Sequence, residues 1–477
     1  MDKHFRIAKR LRESAQHFLL SLDPRRWHRK KQIHFFVNIL MGILIGVLCH
    51  FLEHTRIGEK VVNASIDIMT AKETSDTLDE YYSCKQGNSK GCRSIEKRMS
   101  DRIVFITIDQ ETYKAWGDPL LTPRDKLADI LDNCKRANIV IVDFAFEYNS
   151  CSGRRIASRG CPADEKLKAA IERLIQGNPN LHVILPAQIT REDQTIKRSV
   201  YDEVIVGNPG RVHLALSSVH LSEADMVARY MRHIKVARTQ DGKTVVLFGS
   251  QILPILLAQG ITPDTAAANL LKRYPSGNIP PDLDLSPWAL SSRGEIELEH
   301  ADLYANRIRY FLIPPGLPHY AQGNLGLKNR LTVDQLPDFT EEFAGKTVII
   351  GSTASDHNDI HKTPIGEVAG IYIIGNSLNT LSQGHVLRLA SAWVRIPLEI
   401  IVIIFAAYLF LHVHSILAQV ISTVVILVFL GPLTAYLFTE HAIFLNSIFS
   451  ILGMSAHRVI DDVEEVILHG GRKKDHP

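Results

Sequence analysis

The chain has 477 residues and a formal net charge of +3, with 54 Lys and Arg against 51 Asp and Glu. That near-balance excludes a broad basic surface for nucleic acid, and the length suffices for two or three domains. Hydrophobic residues make up 45% of the chain, an ordinary share that is very unevenly placed.

Residues 1–32 are basic and hold ten Lys and Arg before position 32, opposed only by Asp2, Glu13 and Asp23. Within them, 3–22 carry Phe5, Ala8, Leu11, Ala15, Phe18 and Leu22 at helical spacing on a basic background. This predicts an interfacial helix on an anionic leaflet, with docking onto a partner as the alternative. Residues 33–52, IHFFVNILMGILIGVLCHFL, contain no Lys, Arg, Asp or Glu. Twenty residues of helix cover about 30 Å, the thickness of a bilayer core. The run is too long and starts too late for a signal peptide, so a transmembrane helix is predicted, with Cys49 as a packing residue within it. The basic residues before it put the N-terminus in the cytoplasm and the next segment outside.

The segment 53–391 is polar and alternates strands with helices. Cys84 and Cys92 flank CKQGNSKGC, and Cys151 and Cys161 flank CSGRRIASRGC. Both loops fall on the exported side, where disulfides persist. Two short-loop disulfides are the economical reading; a four-Cys zinc site is the alternative, although neither pair has zinc-knuckle spacing. Strands are predicted at 101–108, 139–146, 181–187, 244–249, 307–313 and 346–351. Helices are predicted at 123–138, 163–177, 250–260 and 370–384. Cys134 falls on the apolar face of the first of these and reads as a free core thiol. Strand–helix–strand spacing implies parallel strands with right-handed crossovers, and the Pro-rich stretch 261–306 reads as irregular. Three apolar runs follow at 392–412, 415–438 and 441–458, the last the weakest because it carries Asn446, His457 and Arg458. The tail 459–477 ends in the basic GGRKKDHP and is expected to return to the cytoplasm. The expected fold is therefore an α/β exported domain with a parallel-rich sheet flanked by helices, plus an α-helical transmembrane bundle of 1 + 3 helices.

Two blocks carry a family resemblance. Residues 103–149, IVFITIDQETYKAWGDPLLTPRDKLADILDNCKRANIVIVDFAFEYN, contain a strand ending in Asp109, then Gly117, Pro123–Arg124, a helix, and a strand ending at Asp143 and Phe146. Residues 345–381 contain Gly351–Ala354, Asp359, Thr363–Pro364, Gly370 and Asn376. These resemble the two end blocks of the CHASE2 sensor domain, and the order of one span, an exported domain and three spans is similar to that family's. DPLLTPR stands where the family commonly has an aromatic wPwpR, and IGN where it often has HAN. The resemblance implies a membrane sensor, multi-pass in a bacterial inner membrane, with both termini cytoplasmic and the large domain periplasmic or extracellular. CHASE2 domains usually precede a cytoplasmic output module, and none is evident after the last span. The implied partners are the lipid bilayer, a separate effector protein, a second copy of the chain as a homodimer, and a small extracytoplasmic ligand. A scaffold subunit of a membrane or envelope complex is the alternative.

Asp109 and Asp143 each close a predicted parallel strand, the edge where open α/β sheets bind ligands. Arg124 begins the helix between them, so the three can hold a zwitterionic or polar ligand; a purely structural Arg–carboxylate pair is the alternative. Ser352, Thr353 and Asp359 are expected along the same edge, joined by Thr363 and Asn376. His357, Asp359 and His361 alternate but lack a fourth ligand, so neither metal nor cofactor is expected. There is no G-x-S-x-G elbow, P-loop or G-x-G-x-x-G, and no enzyme activity is expected.

Overall fold

The computed structural model describes residues 29–53, 55–148, 161–190, 192–217, 219–221, 225–274, 307–312, 330–354, 359–413 and 415–446. The chain divides into two compact units, Ile66–Arg388 and the combination of Met1–Ser65 with Leu389–Pro477. The sequence expectations for 3–22, Cys151, His357 and the tail 459–477 lie outside the described residues.

Unit Ile66–Arg388 contains twelve strands among its described residues: β1 (Ile103–Ile108), β2 (Ile139–Asp143), β3 (His182–Pro186), β4 (Val212–Ala215), β5 (Val219–Leu221), β6 (Ala228–Met231), β7 (Ile234–Arg238), β8 (Thr244–Phe248), β9 (Arg330–Thr332), β10 (Thr347–Ser352), β11 (Ile360–Thr363) and β12 (Gly366–Ala369). Six of them form one sheet in the order β4-β3-β2-β10-β1-β9, with every neighbouring pair parallel. The runs IVFITI and IVIVD are β-branched and buried, as strands covered on both faces must be.

Alternation along the strands sends side chains to two separate cores. On one face, Val104, Ile106, Val140, Val142, Val348 and Ile350 pack with Leu127, Leu131, Leu167 and Leu174, which come from helices Arg124–Asp132 and Pro162–Gly177. On the other face, Ile103, Phe105, Ile141 and Ile349 pack under Ile371, Tyr372 and Leu378 of helix Gly370–Ser382. Gly375 admits the Phe105 ring, which a Cβ there would overlap. The second core also takes in residues of the β7–β8 hairpin and of helices Leu253–Ala258 and Pro263–Arg273.

Helix Gly370–Ser382 is buried almost throughout, and its polar residues are spent on backbone. The Asn376 amide donates to Leu312 O and accepts from Leu312 N at 2.8 and 2.7 Å. Asn379 does the same with Arg98 O and Ser100 N, both at 2.8 Å. Thr380 accepts from Arg309 N.

A second, half-buried helix, Arg56–Lys85, carries acids that meet arginines far along the chain. Glu73 and Arg309 are both about 1% exposed and paired, with Arg309 Nε donating to Glu73 Oε2 at 3.0 Å. Asp67 accepts from Arg229 at 2.6 Å and also from Arg307. Glu80 pairs with Arg98 at 3.1 Å. Burial raises the Glu73 pKa and the Arg309 charge opposes it. The Cys84–Cys92 disulfide ties this helix to the next, Ser89–Arg98. Cys161 is disulfide-bonded, and Cys134 is free and buried.

The structure revises several sequence expectations. Part of 261–306 is helical: Thr262 accepts from the Thr265 N–H at 3.2 Å and Pro263 takes the first helical position, an N-cap and Pro pair that favours a helix start. The 307–312 stretch does not join a sheet; only Arg307 bridges to Tyr230, because its arginines are drawn to Asp67 and Glu73. Strand β8 lies in an antiparallel hairpin outside the main sheet. Strands β11 and β12 form a hairpin within what reads from sequence as a loop.

In the other unit, helix Arg29–Glu53 covers the first predicted span. Ala392–His412 and Val420–His441 are long and apolar enough to cross a membrane. Ala406, Ile426 and Leu430 form a small core within this unit, while Phe36, Leu40, Val47, Phe51, Ile401, Val424 and Phe429 are exposed. Residues 442–446 are not helical, and the rest of the stretch 441–458 lies outside the described residues.

Candidate functional site

Parallel register aligns the strand ends at the carboxyl edge of the sheet. Thr332 lies opposite Thr107, Thr107 opposite Gly351, and Gly351 opposite Asp143. All four share the sheet face covered by helix Gly370–Ser382, because paired residues of neighbouring strands point the same way. Asp109 follows two residues after Thr107. Gly351 is needed here: an added Cβ would press on the Ile371 side chain at 3.1 Å.

Hairpin β11–β12 brings Asp359 to this edge. Its carbonyl accepts from Gly370 N at 2.8 Å, and its carboxylate packs so closely on the Gly370 Cα that a side chain there would overlap it. An acid at the first turn of a helix is favoured by the helix dipole. His361 Nε2 lies 3.2 Å from Asp359 Oδ1. The Asp143 carboxyl is pushed up to about 8 by burial and then by the Asp359 charge, with Ser217 opposing through a hydrogen bond. Burial and a neighbouring negative charge both favour the protonated form of a carboxyl.

Asp109 has a structural duty as well: its Oδ1 caps helix Gln110–Ala115, accepting from the Thr112 N–H at 2.9 Å and the Thr112 hydroxyl at 2.7 Å. Arg330 donates from Nε to Thr107 Oγ1 at 3.2 Å. Tyr372, in the first turn of helix Gly370–Ser382, is buried against Phe105 with ring centroids 5.1 Å apart. Burial pushes its hydroxyl up to about 12, with Arg330 and Asp109 as its charged neighbours.

Arg124 sits on the opposite face. It is 1% exposed, donates to Ala145 O at 2.6 Å and stacks 4.5 Å from the Phe146 ring. Burial lowers its pKa, opposed by Tyr201 and Asp164. Ser352 shares that face: its hydroxyl accepts from Ala354 N at 3.2 Å and hydrogen-bonds Tyr113, whose own hydroxyl meets Thr122 at 2.7 Å.

The eight candidates from the sequence therefore fall into three groups. Asp109, Asp143 and Asp359 share one face of the edge. Arg124 and Ser352 lie across the sheet from them. Thr353, Thr363 and Asn376 make backbone-directed bonds: Thr353 N donates to Ile108 O at 3.0 Å, Thr363 Oγ1 closes the β11–β12 turn on Gly366 O at 2.7 Å, and Asn376 holds Leu312. Among the described residues, no group of three or more His, Cys, Asp or Glu could hold a metal ion.

The CHASE2 domain profile matches residues 64–412, more than half of the chain. The chain belongs to the CHASE2 family. CHASE2 is an extracellular sensor-domain family, and in this member both end blocks of the domain deliver residues to one sheet edge: Asp109 and Asp143 from the first, Asp359 and Tyr372 from the second. No curated protein and no solved structure matches the chain. Sequence reasoning missed Arg330 and Tyr372. Arg330 lies in no motif and reaches the site because β9 pairs with β1. Tyr372 was visible only as one apolar position of GIYIIGN, within the second block.

Proposed function

We propose that this protein is an extracytoplasmic sensor of a bacterial inner membrane, non-enzymatic, with 1 + 3 membrane helices and both termini cytoplasmic. It binds a small ligand at the Asp109–Asp143–Asp359 edge and passes the change to a separate partner protein. Ligand binding shifts the equilibrium only through differential affinity for two states.

The observation that carries this reading is helix Arg56–Lys85. It follows the apolar helix Arg29–Glu53 with two residues between. Its Asp67 and Glu73 are held by Arg229, Arg307 and Arg309, and the backbone of Arg309 is in turn held by Thr380 of helix Gly370–Ser382, whose first turn lines the edge. Exposed apolar side chains on the candidate spans support membrane placement.

Gentle purification of the full chain from native membranes, followed by mass spectrometry, tests the reading. A stoichiometric cyclase, kinase or other regulator is expected. Envelope or secretion components in stoichiometric amount would instead make it a scaffold subunit.

A further inference from the structure

The sheet edge contains a buried hydroxyl that the described residues leave unmatched. Tyr372 is 2% exposed, yet its hydroxyl has no hydrogen-bond partner among the described residues. A buried hydroxyl without a partner costs stability, and here its charged neighbours are Arg330 and Asp109. Arg330 uses Nε on Thr107, which leaves its two terminal nitrogens for another acceptor. Asp109 uses Oδ1 on Thr112, which leaves Oδ2. The edge thus offers a guanidinium fork and a hydroxyl donor within reach of carboxylates that accept.

An anion alone would meet Asp109 on the same face, and Asp359 beyond it. A cation alone would meet Arg330. A molecule with both charges a few bonds apart satisfies both, and the planar Arg fork matches a carboxylate in two-point contact. Deepening the sensor reading, on which it rests, we propose that this edge binds a small zwitterion of the free α-amino-acid class, its carboxylate held by Arg330 and the Tyr372 hydroxyl and its ammonium by Asp109. Asp143 and Asp359 add acceptor oxygens beside the ammonium end, and the first turn of helix Gly370–Ser382 closes over the ligand.

The test uses the full chain in lipid nanodiscs, with thermal unfolding followed in the presence of each common free amino acid. At about a hundred times its Kd, a bound amino acid raises the midpoint by roughly 5 °C. The N-acetyl and methyl-ester forms of the same compound, each lacking one charge, leave it unmoved. Tyr372→Phe keeps the ring and weakens binding about tenfold, and Arg330→Met weakens it about a hundredfold. The Phe variant is expected to fold without ligand at least as well as the native chain, so its smaller shift cannot be blamed on misfolding. No shift with any free amino acid, or an equal shift in Tyr372→Phe, overturns the proposal. A shift with a dicarboxylate or a polyamine instead overturns the zwitterion while leaving the sensor standing. The sensor reading falls separately, on the partners recovered from native membranes.

Discussion

The two faces of the sheet carry similar chemistry at the same edge and use it differently. Each has an arginine, a tyrosine and hydroxyl side chains. On the face of helices Arg124–Asp132 and Pro162–Gly177, Arg124, Tyr113, Thr122 and Ser352 are all buried, and the arginine is stacked on Phe146 and bonded to Ala145 O. On the face of helix Gly370–Ser382, Asp109, Asp143, Asp359 and Arg330 are only half-buried. Tyr372 is sealed, and its hydroxyl has no partner among the described residues. Both faces leave buried donors without a partner among the described residues, Arg124 Nε and Nη1 on the first and the Tyr372 hydroxyl on the second; the difference is that the second cluster is half-open and the first is sealed. Residue type alone does not separate the two roles, and accessibility does.

The comparison breaks if the faces respond alike to mutation. Arg124→Ala removes a packed, buried side chain, and a loss of about 2–4 kcal/mol is expected. It should appear as a lower thermal midpoint with ligand affinity unchanged. A variant of native stability that fails to bind would move the site to Arg124. Gly370→Ala comes next. Its methyl group must displace the Asp359 carboxylate, at a cost of about 1–3 kcal/mol, and ligand affinity should fall with it. Chemical denaturation and titration on the same preparation separate the two effects.

The sheet was legible because its strands are short, β-branched and buried on both faces. β1, β2, β3 and β10 stand out at their sequence positions, and Asp109 and Asp143 mark their ends. What stayed hidden was decided by pairing over long distances. Arg124 is near Asp109 and Asp143 in sequence, but the helix it begins lies across the sheet from them. Arg330 is more than two hundred residues from Thr107 and meets it only because β9 takes the edge position beside β1. The acids of Arg56–Lys85 were unremarkable in a chain with 51 of them; their partners at 229, 307 and 309 declare them. The 261–306 stretch shows the opposite case, where a local Thr-Pro signal was present at 262–263 and outweighed the surrounding irregularity.

The open face also predicts a pH dependence that the sealed face lacks. Burial, and then the Asp359 charge, push the Asp143 carboxyl from 3.8 up to about 8 in the folded protein. Below about pH 4 both states hold the proton, and the raised value costs nothing. Between these limits the unfolded chain has released a proton that the folded chain keeps, so stability falls as pH rises. Above about pH 8 both states are ionised and the curve flattens. The total is on the order of 1–3 kcal/mol, given the coupling to Asp359 and the partial exposure of the site. Asp143→Asn is neutral at every pH and should flatten this part of the profile. Thermal midpoints between pH 4 and 9, native against variant, measure it, and parallel profiles would remove Asp143 as the source.

The smallest effect is the most discriminating. Tyr372→Phe deletes one oxygen and leaves the ring against Phe105. If the hydroxyl is held inside the fold by a partner, losing it costs about 1 kcal/mol. If it stands unmatched, its desolvation cost disappears with it, and the unliganded protein gains up to about 1 kcal/mol. Tyr113→Phe on the sealed face is the control, because its hydroxyl bonds Thr122 at 2.7 Å and its loss should destabilise by about 1 kcal/mol. Opposite signs for two Tyr→Phe changes on the two faces of one sheet would locate the unmatched donor. Equal losses would mean that both tyrosines brace the fold, and the open edge would then have no atom reserved for a ligand.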